Sequence, residues 1–194
     1  MCLFALLGGT TANVLTMIAI VLAVLGVLLV AVQFAIWIRT YPRKGARGMR
    51  KAIEELKRIL QDTPARLTAI SETESLKRPS SEKWSKRQIL GHLIDSAANN
   101  HQRFIRGQLS AEIKLPGYQQ EAWVSSQHYG EERWEDLIQL WTSYNTHLLH
   151  VVSFIPESAL RNICILEDHE PVTLEFLVTD YVRHLRHHLE QILG

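Results

Sequence analysis

"SKRQILGHLIDSAANNHQRFIRG", residues 85–107, is the stretch on which the fold turns. Ser85 with Gln88 three positions on has the S-x-x-Q form of a capping box, in which the two residues satisfy each other's free backbone amides at a helix start. A helix is therefore predicted from Ser85. Ile89, Leu90, Leu93, Ile94, Ala97 and Ala98 give it an apolar stripe that runs on towards Phe104 and Ile105, and Gly107 marks its end. Beside that stripe His92, Asp95, Asn99 and Arg103 follow at steps of three, four and four, a continuous polar line. Polar groups on the inner face of a bundle are unfavourable unless paired or metal-bound, so the line is a functional signal.

Helical patterning lies on both sides. "MRKAIEELKRIL" (49–60) places Ile53, Leu56, Ile59 and Leu60 on one face, and Pro64 then restarts or kinks the helix, with Leu67 and Ile70 continuing the stripe. A third helix is predicted over about Glu131–Ile155, with Trp134, Leu137, Trp141, Tyr144, Leu148 and Val151 as its stripe and Pro156 as its stop. A fourth opens at Thr173 and runs to the C-terminus. The segment Ser110–Gly130 reads as a long turn-rich connection and 156–172 as a short irregular one; alternating apolar patterns are almost absent. Four amphipathic helices with one long middle connection read as an all-α four-helix bundle over residues 52–194.

Ahead of that domain the composition changes. No charged residue or histidine precedes Arg39, and Val14–Ile38 offers 25 uncharged, mostly apolar positions. At helical rise that is ~37 Å, enough to cross a bilayer. Residues 1–38 are expected to be a single transmembrane anchor and 39–51 a basic juxtamembrane linker, with Trp37 and Tyr41 at the interface. Arg39, Arg43, Lys44, Arg47, Arg50 and Lys51 place the C-terminal domain on the cytoplasmic side. Translation from Met49 would instead give a soluble cytoplasmic protein.

The remaining 15 basic residues face all 20 acidic ones, a net −5, which argues against nucleic acid as a partner. Cys2 and Cys164 are too far apart in sequence for a redox or zinc pair. A small-molecule substrate is the expected partner, and the bundle's outer faces are candidates for a homodimer.

The end of the chain, "DYVRHLRHHLEQIL" (180–193), carries His184 and His188 four residues apart, one turn above each other. His187 projects elsewhere. With His92 these make three imidazoles from two helices, a set that can hold a zinc- or nickel-type divalent ion and leave one coordination position open. The plain alternative is a pair of solvated histidines and a buried third held by Asp95.

"WSKRQILGHLIDSAANNHQRF", followed by "YQQEAW" and "DYVRHLRHHLEQI", resembles the DinB-like superfamily, in particular its YfiT branch of metal-dependent enzymes. The likeness covers about residues 50–194. It implies an up-down-down-up four-helix bundle and puts the family's metal histidines on His92, His184 and His188. The N-terminal apolar segment is outside the usual family pattern. The resemblance also implies relatives that join low-molecular-weight thiols to electrophiles, so a thiol cosubstrate and an S-transferase reaction are the expectation. Asp95 would orient a ligand ring or organise substrate. Asn99 and Arg103 would hold the thiol's carboxylates, and Tyr118, Gln120 and Trp123 would wall the pocket. A salt bridge for Arg103 and core packing for Trp123 are the alternatives. Hydrolysis by a metal-activated water with Asp95 as its base, and a membrane-tethered metal-binding module without catalysis, are the competing functions.

Overall fold

In the computed structural model the described residues are 17, 20–22, 25, 26, 28–33, 42–167 and 170–194. The chain divides into two compact units, Met1–Lys44 and Gly45–Gly194.

About half of the expected membrane span, 14–38, falls outside the described residues. Those described within it are helical and exposed, among them Leu22, Leu29 and Val30. No helix among the described residues is long and apolar enough to cross a membrane, so the span has no support from the structure.

Helix α1 (Pro42–Thr68) begins on a proline, whose missing N–H is harmless at the first helical position, and runs unbroken through Pro64. Of the restart or kink expected at Pro64, the restart does not occur. Lying close to the helix end, Pro64 forfeits one ladder bond, and Thr68 Oγ1 donates to its carbonyl at 3.0 Å. Residues 42–51 of the expected linker form the early turns of α1, residues 39–41 lying outside those described, and Met49 and Ala52 are buried. A short helix α2 (Glu72–Leu76) follows, capped by Ser71. Helix α3 (Lys86–Leu109) starts on the capping box that its sequence announces, with both Ser85 and Gln88 bonds formed. Helix α4 (Gln120–Ser126) is short; α5 (Trp134–Ser153) and α6 (Leu174–Leu193, capped by Thr173) complete the long elements.

Beyond the helices stands a small sheet. Strands β1 (Glu112–Leu115), β2 (Ile163–Leu166) and β3 (Val172–Thr173) lie in that order, β1 parallel to β2 and β2 antiparallel to β3. The two connections read as irregular are thus stitched together, Glu112 opposite Ile163 and Leu115 opposite Leu166. Strands of four and two residues are too short to show an alternating pattern.

The core lies between α3, α5 and α6 and is filled by Leu90, Leu93, Phe104, Leu137, Trp141, Leu148, Leu174 and Leu185, all fully buried. Burying each such side chain contributes roughly 1.5–3 kcal/mol, which holds α3 rigid along its length. A charged residue is embedded beside this core. Arg87, 2% exposed, pairs with Glu72 at 2.6 Å and donates to Ser75 Oγ and to the carbonyls of Gly130 and Glu132. Trp134 adds its backbone N–H to Glu72 and its indole N–H to the Leu67 carbonyl. The network ties α1, α2 and the 127–133 loop to the start of α3, and with its donors satisfied the buried guanidinium is tolerated.

Candidate metal centre

Three imidazoles converge where α3 meets α6. The His184 and His188 rings are 4.5 Å apart between centroids, and the His92 ring lies 5.1 and 4.9 Å from them. One ligand nitrogen from each falls within 4.8 Å of the others, which brings together the three histidines singled out in the sequence. His92 is fully buried; the other two are half-buried.

The donor set fits a divalent ion. His92 Nε2 and His184 Nε2 are 3.0 Å apart, close to the ~3.3 Å expected of two nitrogens sharing a tetrahedral zinc at ~2.05 Å. His188 donates Nδ1–H to Gln191 Oε1 at 3.0 Å, which leaves its Nε2 as the ligand atom, and Gln191 in turn donates to His187 Nε2 at 3.0 Å. His187 therefore acts indirectly, by steadying the glutamine that aims His188. His92 Nδ1 is buried without a partner, and the ring is held by packing against Trp84 at 5.2 Å. Burial, reinforced by the neighbouring His184 and His188, pushes His92 down to about 3; burial and His188 push His184 down to about 4. His188 is also lowered by burial. Each shift favours the neutral imidazole, the form that binds metal.

Asp95 leaves His92 Nδ1 unpartnered and turns instead to the 127–129 loop. One of its oxygens, Oδ1, accepts from Tyr129 Oη at 2.7 Å and from Gln127 Nε2, while Oδ2 is buried and unpartnered. Burial raises its pKa, and the two donors oppose the shift. His128, between those donors, has φ 52°, the left-handed turn that brings both neighbours onto one carboxylate. Gly91, one turn before Asp95, lets the Tyr129 ring lie directly on the α3 backbone: a Cβ there would sit 2.1 Å from the ring. Gln127, Tyr129 and Gly91 escaped the sequence reading, since only the fold lays the 127–129 turn on α3.

A cavity of ≈960 Å³ opens beside His184. Ser96, Asn100, Arg103, Tyr118 and Gln120 form a polar wall, and Leu166, Val172, Phe176 and Leu177 an apolar one. Arg103, Tyr118 and Gln120 thus stand where the sequence reading put them. Asn99 does not: its amide donates to the Asp95 carbonyl at 2.9 Å, and Asn100, the next residue round the helix, faces the cavity. Trp123 stacks edge-on against Tyr118 at 5.2 Å instead of lining the space. Among the described residues Arg103 makes no ion pair with a helix-one carboxylate; it donates to the Pro116 carbonyl at 3.3 Å and its guanidinium stands 5.9 Å from the Tyr118 ring centre. Burial lowers its pKa and raises that of Tyr118 to about 12. Cys164 is buried in β2 with its thiol pKa raised by burial, as befits a packing residue. His169 lies outside the described residues.

A helical bundle with a three-histidine cluster at the junction of two helices defines a class of metal-site bundle proteins. The chain belongs to the DinB superfamily, whose profile matches residues 55–192. Among solved structures it is similar to YfiT from Bacillus subtilis, described as a probable metal-dependent hydrolase with an unusual four-helix bundle topology. The TM-score is 0.65 at 21% identity, over 74% of this chain and 83% of that one. No curated protein matches the chain at a significant level.

Proposed function

We propose that the chain is a metal-dependent enzyme that holds a divalent ion on His92, His184 and His188 and joins a low-molecular-weight thiol to an electrophile in the adjoining cavity. The carrying observation is where the cavity lies: it opens at one of the three converging imidazoles, and ≈960 Å³ is room for two small molecules. A zinc- or nickel-type ion held by these three nitrogens would lower the pKa of a bound thiol or water and so supply a nucleophile at neutral pH. Arg103 receives the thiol's carboxylate through its fork of donors, while Asn100 and Ser96 complete the polar wall. Tyr118, whose phenol keeps its proton far above neutrality, donates to a substrate oxygen. The apolar body of the electrophile packs on Leu166, Val172, Phe176 and Leu177.

Hydrolysis is the second reading, favoured by the description of YfiT and by Asp180. That residue is one turn before His184 and on the cavity wall; Arg183 pairs with its Oδ1, and its other oxygen could take a proton from water. Asp95, the base expected from sequence, has one oxygen engaged by Tyr129 and Gln127 and does not line the cavity. The test is electrophile consumption (epoxides, alkyl halides, activated alkenes) by zinc- or nickel-loaded and chelator-treated protein, with and without a small thiol. Turnover that needs both metal and thiol and is lost in His184→Ala supports S-transfer; equal turnover without thiol replaces it with hydrolysis.

The apolar stretch 14–38 is part of the same proposal as a membrane tether that brings the site to lipid-soluble electrophiles. The full chain should sediment with vesicles and a chain starting at residue 42 should not; equal partition of the two removes the tether.

A further inference from the structure

Three of the remaining histidines gather on the surface where α3 packs on α5. His101 on α3 is half-buried, and His147 and His150 on α5 are exposed. Nothing in their sequence spacing links His101 to the other two. The fold does: the His101 and His147 rings lie 5.0 Å apart between centroids, inclined at 83°. The pairs within the three-histidine centre span 4.5 to 5.1 Å at 71° to 75°, so this surface pair repeats their spacing and edge-on arrangement.

Two further contacts set the pair apart from chance proximity. The Tyr144 hydroxyl stands 3.4 Å from His101 Nδ1; with Nδ1–H donating to the phenol oxygen, Nε2 carries the lone pair, the orienting arrangement that ligand histidines commonly have. The Tyr144 ring also meets His101 edge-on at 5.8 Å and limits its rotation. His150 is placed differently. Its ring is nearly parallel to that of His147 at 6.4 Å and leans on Phe154 at 4.8 Å.

We propose that His101 and His147 form a second metal site, on the surface and independent of the interior centre, that takes an imidazole-preferring first-row divalent ion on two nitrogens with water completing its shell. No carboxylate or third histidine joins them in a three-donor cluster among the described residues. Calcium and magnesium, which require oxygen ligands, are therefore poor occupants, and affinity follows the order that places copper(II) highest. Holding one imidazole on each of two rigidly packed helices makes the site a chelate in the folded chain alone. Unfolding separates the donors by the 45 intervening residues.

Copper(II) alone is the probe. Equilibrium dialysis of the full chain counts bound copper, and the nitrogen hyperfine pattern of its paramagnetic resonance reports imidazole ligation. His101→Ala with His147→Ala should remove one bound equivalent and its two-nitrogen signal, whereas His150→Ala should leave both. His147→Ala alone, at an exposed position, should give the same loss with the circular dichroism spectrum unchanged. Tyr144→Phe should weaken the site about tenfold, as loss of an orienting partner does. The paired His184→Ala and His188→Ala chain should keep this equivalent, so failure of the interior centre and failure of the surface site read out separately. An unchanged copper count and spectrum in the His101 and His147 variants would overturn the proposal.

Discussion

Gly91→Ala tests the contact that organises the residues behind the metal centre. A Cβ at position 91 would lie 2.1 Å from Cδ2 and 2.4 Å from Cγ of the Tyr129 ring. That ring is buried and cannot swing away without giving up its hydrogen bond to Asp95. Opposing effects meet here. Alanine in place of glycine in a helix interior favours folding by about 1 kcal/mol. Against it stand ~1–3 kcal/mol for forcing a methyl into a packed site and ~1–3 kcal/mol for a buried carboxylate oxygen deprived of its phenol. The clash wins, and the expected net loss is roughly 1–5 kcal/mol, which lowers the melting temperature by ~2–4 °C per kcal/mol in a domain of this size. Urea and thermal unfolding of Gly91→Ala, Tyr129→Ala and the double variant measure it. With the ring gone, Gly91→Ala should change sign and stabilise by up to about 1 kcal/mol. A single variant as stable as wild type, or a penalty that persists in the Tyr129→Ala background, would refute the reasoning.

Three further outcomes follow from the centre. His92 and His184 have folded-state pKa values of about 3 and about 4, below the 6.5 of free imidazole. Their contribution to the metal-free protein is complete above pH ~6.5 and lost as pH falls towards those values, by up to ~1.4 kcal/mol per pH unit per site. Urea midpoints that rise on acidification over this range would contradict neutral buried imidazoles. Gln191→Leu should weaken zinc binding ~10–100-fold by freeing His188, with unfolding midpoints unchanged; unaltered affinity would separate the glutamine from the site. Arg103→Met should raise the KM for a carboxylate-bearing thiol at least ~10-fold and leave that for an uncharged thiol within about twofold, and equal effects on both would deny Arg103 a recognition role.

Much of this was legible in the chain because its signals are local. The capping box at Ser85, the cap at Thr173 and the apolar stripes fixed where α3 and α6 run, and the i,i+4 spacing of His184 and His188 fixed their common face. The site's partners were not legible, for they belong to other segments. Gln127 and Tyr129 reach Asp95 only because Arg87 holds their loop and His128 turns it. His101 meets His147 only because α3 packs on α5. A helix advances 100° per residue, so Asn99 and Asn100 face different surroundings, and the polar spacing along α3 does not reveal that Asn100 is the one that reaches the cavity. The strands were invisible for want of length, since four residues cannot establish a period of two.

The central claim is that three imidazoles grip one divalent ion, and elemental analysis of purified protein after zinc or nickel loading tests it most directly. One equivalent in wild type beyond any held at His101 and His147, lost when His92, His184 or His188 is replaced by Ala with the helical spectrum intact, is the expected result. Equal metal content in wild type and all three variants would contradict it.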